Sequence, residues 1–151
     1  MARETGDTPD LFIEDALTIA ENEQQIIATE LDAFEAFRAA VESTTPHSPT
    51  GLTPATRHHR AGSSDGFASV RTAYRETVMS VPHYDEEYGE SLATNVEYEF
   101  GADIAAMLTG GRHFGEHHKQ VLTCKTTELI EDRRELLAAV EKEQASLERF
   151  R

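Results

Sequence analysis

Cysteine is nearly absent from this 151-residue chain: Cys124 stands alone, which excludes an internal disulfide and fits a reducing compartment. Tryptophan is missing, and only 38% of residues are apolar. A core that thin cannot run the whole length of the chain at ordinary width, so narrow helix seams must supply much of the burial. No apolar run approaches the ~20 residues of a membrane span, so no membrane partner is expected. Met1 to Pro9 carries no hydrophobic segment, and no signal peptide is expected. Strand signals are lacking. So are a P-loop, a dinucleotide fingerprint, His-Glu-x-x-His, Gly-x-Ser-x-Gly and the paired Glu-x-x-His motifs of di-iron bundles. Nothing in these absences points to an enzyme, a cofactor or a small-molecule substrate. Lysine is scarce too: Lys119, Lys125 and Lys142 are all there are, beside 11 arginines.

Acid is plentiful. Asp and Glu total 28 against 14 Lys and Arg, a formal net charge of -14. Such a surface repels itself, and it is best tolerated where salt screens it; the Debye length falls to ~3 Å at 1 M. Glu-rich, Lys-poor composition is what a cytosolic protein of a salt-in halophile should have, so the expected location is cytoplasmic. The same charge argues against nucleic acid and anionic membrane as partners.

Helical periodicity dominates the chain. Thr8-Pro9 reads as an N-cap and first helical position, after a frayed start over residues 1–7. From there to Ser43 the apolar seats alternate by four and three: Ile13, Leu17, Ala20, Ile27, Leu31, Phe34, Val41, with Gln24 and Arg38 in the two other seats. A ladder held this long argues for a coiled coil. Residues 44–64 break the pattern with Pro46, Pro49, Gly51, Pro54 and Gly62, and are expected to form a flexible Pro/Thr-rich loop within a single helical domain spanning 1–151.

Asp65 then caps a short helix to about Met79, with Phe67, Val70, Tyr74, Val78 and Val81 on one side. After Pro82 a third helix is expected from about His83 to Leu108. Its stripe of Tyr84, Tyr88, Leu92, Val96, Phe100 and Ile104 has strict four-residue spacing and so winds around the axis. Such a stripe should touch different neighbours at its two ends. Gly110-Gly111 ends this helix. The fourth runs from about Gly115 to Arg151, seated on Leu122, Thr126, Leu129, Arg133, Leu136, Val140, Glu143, Leu147 and Phe150.

Lengths and seats of the two long helices match. An antiparallel hairpin pairs Ile13 with Phe150, Leu17 with Leu147, Ile27 with Leu136, Phe34 with Leu129 and Val41 with Leu122. It sets Arg133 opposite Leu31, within reach of Glu30, Asp32 and Glu35, Gln24 across from Val140, and Arg38 across from Thr126. The expected fold is therefore all-α: an elongated bundle built on a long antiparallel coiled-coil hairpin, with two shorter helices packed on it; the alternative is that the same ladders pair between two chains and make a dimer.

Three clusters could carry chemistry. His113, His117 and Cys124 lie within ~40° on one helical face, and imidazole and thiolate are good zinc ligands. Gly111 and Gly115 suggest, however, that His113 precedes the helix, and the face points away from the Leu122/Leu129/Leu136 seam. These three are the candidate metal site, kept as an alternative to a solvated face with an incidental thiol. Arg57-His58-His59-Arg60 is a small basic patch that could touch phosphate. Asp85, Glu86, Glu87 and Glu90 could bind a hard cation, or simply complement a helix dipole.

Tyr74-Arg75-Glu76-Thr77-Val78-Met79, running into Val81-Pro82-His83-Tyr84-Asp85-Glu86-Glu87-Tyr88-Gly89-Glu90, resembles a stretch of an uncharacterised family of haloarchaeal helical proteins, a domain of unknown function. Arg133 and Glu143-Gln144-Ala145-Ser146-Leu147 are similar to that family's C-terminal helix. The likeness covers roughly residues 11–150 apart from the Pro/Thr loop, and implies helical fold and source. It implies no activity and no site. The His-rich start of helix four departs from the family pattern. The reading as a whole is a non-enzymatic coiled-coil interaction or assembly protein of a haloarchaeal cytosol, joined through its helix seams to a protein partner or to itself. The alternative is a regulator, either DNA-associated or acting as a His/Cys metal or redox sensor.

Overall fold

The computed structural model describes residues 2–46, 66–84, 99–110 and 113–151. Among the described residues four helices and one short 3-10 turn make up the regular structure, and there is no strand. Helix α1 spans Ala2–Ser43, α2 Gly66–Glu76, the 3-10 turn Val78–Ser80, α3 Ala102–Gly110 and α4 Glu116–Glu148. The architecture is all-α, and α1 packs against α4 as a hairpin.

The hairpin runs antiparallel, as the two ladders require. Lys119 Nζ donates to the carbonyls of Glu42 and Thr44 near its closed end. Arg38 Nη1 donates to Thr127 Oγ1, Arg133 Nε to Glu30 Oε1, and Gln24 Nε2 to Glu141 Oε2. At the far end Arg151 reaches Glu14 at 2.9 Å. These partners fall within a few residues of the register that the seats define. Leu17, Ala20, Ile27, Phe34, Val41, Leu122, Thr126, Leu129 and Val140 are buried as their spacing implies.

Two regions of different thickness follow. At the closed end α2, the 3-10 turn and α3 cover the hairpin, and a single core gathers Phe34, Phe37, Val41, Phe67, Val70, Tyr74, Val78, Phe100, Ile104, Leu108, Phe114, Leu122, Leu129 and Ile130. Its aromatics meet edge-on: Phe37, Tyr74 and Phe100 are mutual neighbours at centroid distances of 5.3 to 5.9 Å. Such pairs add about 0.5–1.5 kcal/mol each beyond burial. Beyond this core a smaller cluster of Ala20, Ile27 and Val140, flanked by Tyr84, Leu136 and Leu137, holds the two long helices together. Past it, among the described residues, only α1 and α4 continue, as a two-helix arm.

Several expected boundaries are corrected. α1 begins at Ala2, so Thr8-Pro9 lies inside it and not at its start. A proline there forfeits one backbone bond, to the carbonyl of Thr5, which a long helix absorbs. The third helix does not start at His83. Val81 is extended, as a residue before proline prefers, and His83 and Tyr84 follow it outside any helix. Nor does it run unbroken through residue 101. Gly101 has φ of +93°, a conformation that side chains with a Cβ rarely adopt, and its carbonyl accepts the first bond of α3 from Ala105. The stripe nonetheless meets different neighbours at its ends: Tyr84 joins the arm cluster, while Phe100 and Ile104 join the main core.

Two seats at the arm's end also fail. Phe150 lies past α4 and is 71% exposed, so it does not pair with Ile13. Glu143 is exposed, and its charge together with partial burial, which contributes more, raises the pKa of Glu23 across the seam. Among the described residues no third element covers the helices there, so an apolar seat gains little. The expected loop and the Asp65 cap lie, from residue 47 to residue 65, outside the described residues.

Ile27 and Ile19 test this division of the hairpin. Ile27→Ala should lower stability by about 2–4 kcal/mol, because the site is fully enclosed. Ile19→Ala, at an exposed position, should stay within about 0.5 kcal/mol of the parent. Urea denaturation followed by circular dichroism in molar KCl reads both.

Candidate functional site: a buried ionic joint

Arg133 occupies an apolar seat of α4 between Leu129 and Leu136. Its stem lies along the seam, and its guanidinium carbon sits 5.4 Å from the centre of the Phe34 ring. The fork is used twice: Nε donates to Glu30 Oε1 at 2.9 Å, and Nη2 donates to Glu99 Oε1 at 2.8 Å. Glu30 is fully buried on α1, one turn before Phe34. Glu99 is buried just ahead of the Gly101 turn. Burial alone would lower the pKa of Arg133; the charges of Glu99 and Glu30 outweigh it and hold the guanidinium above its ordinary value.

His83 completes the group. Pro82 and the extended Val81 turn the chain back over α1, which delivers the imidazole to full burial 5.9 Å from the Phe34 ring. Nδ1 lies 2.9 Å from Glu30 Oε2 and 3.8 Å from Glu99 Oε1. Nε2 lies 3.0 Å from the carbonyl oxygen of Val78. The Tyr84 backbone N–H donates to Glu30 Oε2 at 2.6 Å. Glu30 therefore meets α4 through Arg133 and the 81–84 segment through both His83 and the Tyr84 amide, which ties two parts of the chain to one carboxylate of α1. Two carboxylates and one guanidinium leave one negative charge over. A proton on His83, giving both ring nitrogens a hydrogen to donate, or a bound cation would neutralise it.

Tyr74 stands beside this cluster. It packs on Phe37 and Phe100, and its hydroxyl is buried with no hydrogen-bond partner among the described residues. Burial first, and the charge of Glu99 second, push the phenol's pKa well above its ordinary value.

The residues singled out from sequence lie elsewhere. His113 precedes α4 and is exposed; His117 and Cys124 are exposed on α4, where both line a shallow groove with Ile104, Val121 and Glu128. Among the described residues the group of three His, Cys, Asp or Glu side chains whose ligand atoms lie within 4.8 Å of one another is Glu30, His83 and Glu99. The 57–60 patch and the Asp85, Glu86, Glu87 and Glu90 cluster are outside the described residues. Sequence reasoning placed Glu30 near Arg133 through the hairpin register but missed His83 and Glu99. The available signal was a charge in an apolar seat, Arg133, which must be met by buried acid.

The raised phenol makes a pH prediction. The unfolded chain loses the Tyr74 proton near the ordinary value of 10.0, while the folded chain keeps it to higher pH. The folded state then binds more protons, so stability falls as pH rises above about 10. Tyr74→Phe should remove part of that alkaline loss and leave stability at neutral pH equal or higher, since it deletes an unpaired buried hydroxyl. Melting curves recorded from about pH 8 to about pH 11, a range that spans the ordinary tyrosine pKa, check it.

No curated protein and no solved structure matches the chain. A family model described as "Domain of unknown function (DUF7260)" matches residues 12–151, which takes in α1 from residue 12 onward, all of α4 and every member of the buried cluster. The chain belongs to that family, a domain of unknown function.

Proposed function

We propose that this chain is a non-enzymatic interaction or assembly protein of a haloarchaeal cytosol, and that the open arm of its hairpin is the surface through which it binds a protein partner or a second copy of itself. The observation that carries the reading is the apolar surface at that end. Phe12 is 73% exposed, Ile19 57% and Phe150 71%. Phe12 and Ile19 are two turns apart on one face of α1, and the Arg151–Glu14 bond holds the C-terminus to the same end of the helix, on its other flank. Exposed large side chains at helical spacing suit a helix that adds to the arm as in a coiled coil. The acid surplus, with few lysines, supports a salt-rich cytosol, where screening weakens charge repulsion between such arms. Among the described residues no helix is long and apolar enough to cross a membrane.

Size-exclusion chromatography with light scattering, run in about 2 M KCl where the Debye length is ~2 Å, tests the arm. Wild type should self-associate as concentration rises, or carry a co-purifying protein. Phe12→Ser combined with Ile19→Ser should weaken that association about tenfold or more, or about 1.4 kcal/mol, without changing helicity. A strict monomer that captures nothing through a photo-crosslinker at position 19 contradicts the proposal.

A further inference from the structure

We infer that Glu30, His83 and Glu99 form a site for one divalent transition-metal ion, of the zinc or manganese kind, set in the joint between α1, the 81–84 segment and α4. The inference is independent of the role proposed for the arm. His83 Nδ1 stands 2.9 Å from Glu30 Oε2 and 3.8 Å from Glu99 Oε1. Ligand atoms bound tetrahedrally at about 2.0–2.2 Å are separated by roughly 3.4 Å. The two separations bracket that value, so small side-chain shifts let one ion replace the contacts now made directly.

The surroundings are those of a metal site. Nε2 of His83 lies 3.0 Å from the Val78 carbonyl, where its N–H donates to backbone and Nδ1 is aimed at both carboxylates; metal-bound imidazoles are commonly oriented in this way. Arg133 and the Tyr84 amide grip the carboxylates from outside and fix their direction. The Tyr74 hydroxyl is nearly fully buried and has no partner among the described residues, and Glu99 is near enough for its charge to act on it. A ligand or water on the ion would satisfy that hydroxyl. One imidazole nitrogen and two carboxylates, with no thiolate, suit borderline divalent ions and not Cu(I). The ion also supplies positive charge where two buried carboxylates face one guanidinium, inside a protein whose total is -14.

The test uses the full chain without an affinity tag, stripped with EDTA and then titrated with zinc or, separately, manganese. Wild type should retain about one equivalent through gel filtration and melt at a higher temperature when loaded. Glu99→Gln and His83→Gln should retain about a tenth or less, while Cys124→Ser and His117→Ala should load like wild type. X-ray absorption of zinc-loaded wild type should show nitrogen and oxygen ligands without sulfur, a readout that does not depend on how the variants fold. Wild type that holds neither ion and melts unchanged overturns the inference. So does zinc with a sulfur ligand, or zinc lost on Cys124→Ser.

Discussion

Arg133 brings a charge into the seam between two long helices, and much of the surrounding structure follows from how that charge is met. A buried guanidinium without a counter-ion would cost several kcal/mol. Glu30 answers it from α1, which fixes the hairpin's direction and register, since a shift by one turn would move the carboxylate out of reach. Glu99 answers it a second time, which anchors the chain just before α3. Glu30 in turn needs further donors, and His83 and the Tyr84 amide provide them by crossing over α1. A buried ion pair of this kind adds little net stability over a well-packed apolar pair. It selects one arrangement of the helices among the several that two regular ladders would permit.

The joint separates two regions with different physics. On one side the aromatic core of Phe34, Phe37, Phe67, Tyr74, Phe100 and Phe114 fills the space between four elements. On the other, among the described residues, only α1 and α4 continue, over a narrow seam of Leu17, Ala20, Ile27 and Val140 that the Glu23/Glu143 like-charge pair interrupts. Stability should therefore grade along the hairpin, highest at the closed end and lowest at the arm. An arm of that kind is suited to take up a further helix, because its own burial is incomplete and its exposed apolar side chains lie at its end.

The hairpin was legible in the sequence because its signal is long. Seats from Leu17 to Val41 and from Leu122 to Val140 repeat regularly and match in one antiparallel register; that the pairing falls within one chain and not between two is seen in the structure. The third helix was misread because Gly101 acts through backbone conformation, which a four-residue apolar spacing does not record. His83 was read as the first residue of that helix, when Pro82 sets the preceding residue extended and lets His83 point inward. Glu99 carries no local signal of burial: it is one acid among 28, and only the position of Arg133 in three dimensions singles it out. Conversely, His113, His117 and Cys124 stand out in sequence because histidine clusters are rare, while in the structure all three are exposed.

The central claim is that Glu30 and Arg133 act as one coupled unit across the hairpin. A double-mutant cycle with Glu30→Gln, Arg133→Met and the two together, measured by denaturant unfolding in molar KCl, addresses it directly. Arg133→Met leaves two buried carboxylates without their guanidinium and should cost about 3 kcal/mol or more. Glu30→Gln keeps the Arg133–Glu99 pair but weakens three bonds to Glu30, and should cost about 1–3 kcal/mol. The pair should cost clearly less than the two losses added, with a coupling of about 1–3 kcal/mol. Additive losses, with coupling below about 0.5 kcal/mol, would show that the two residues act independently and that the joint does not hold the hairpin in register.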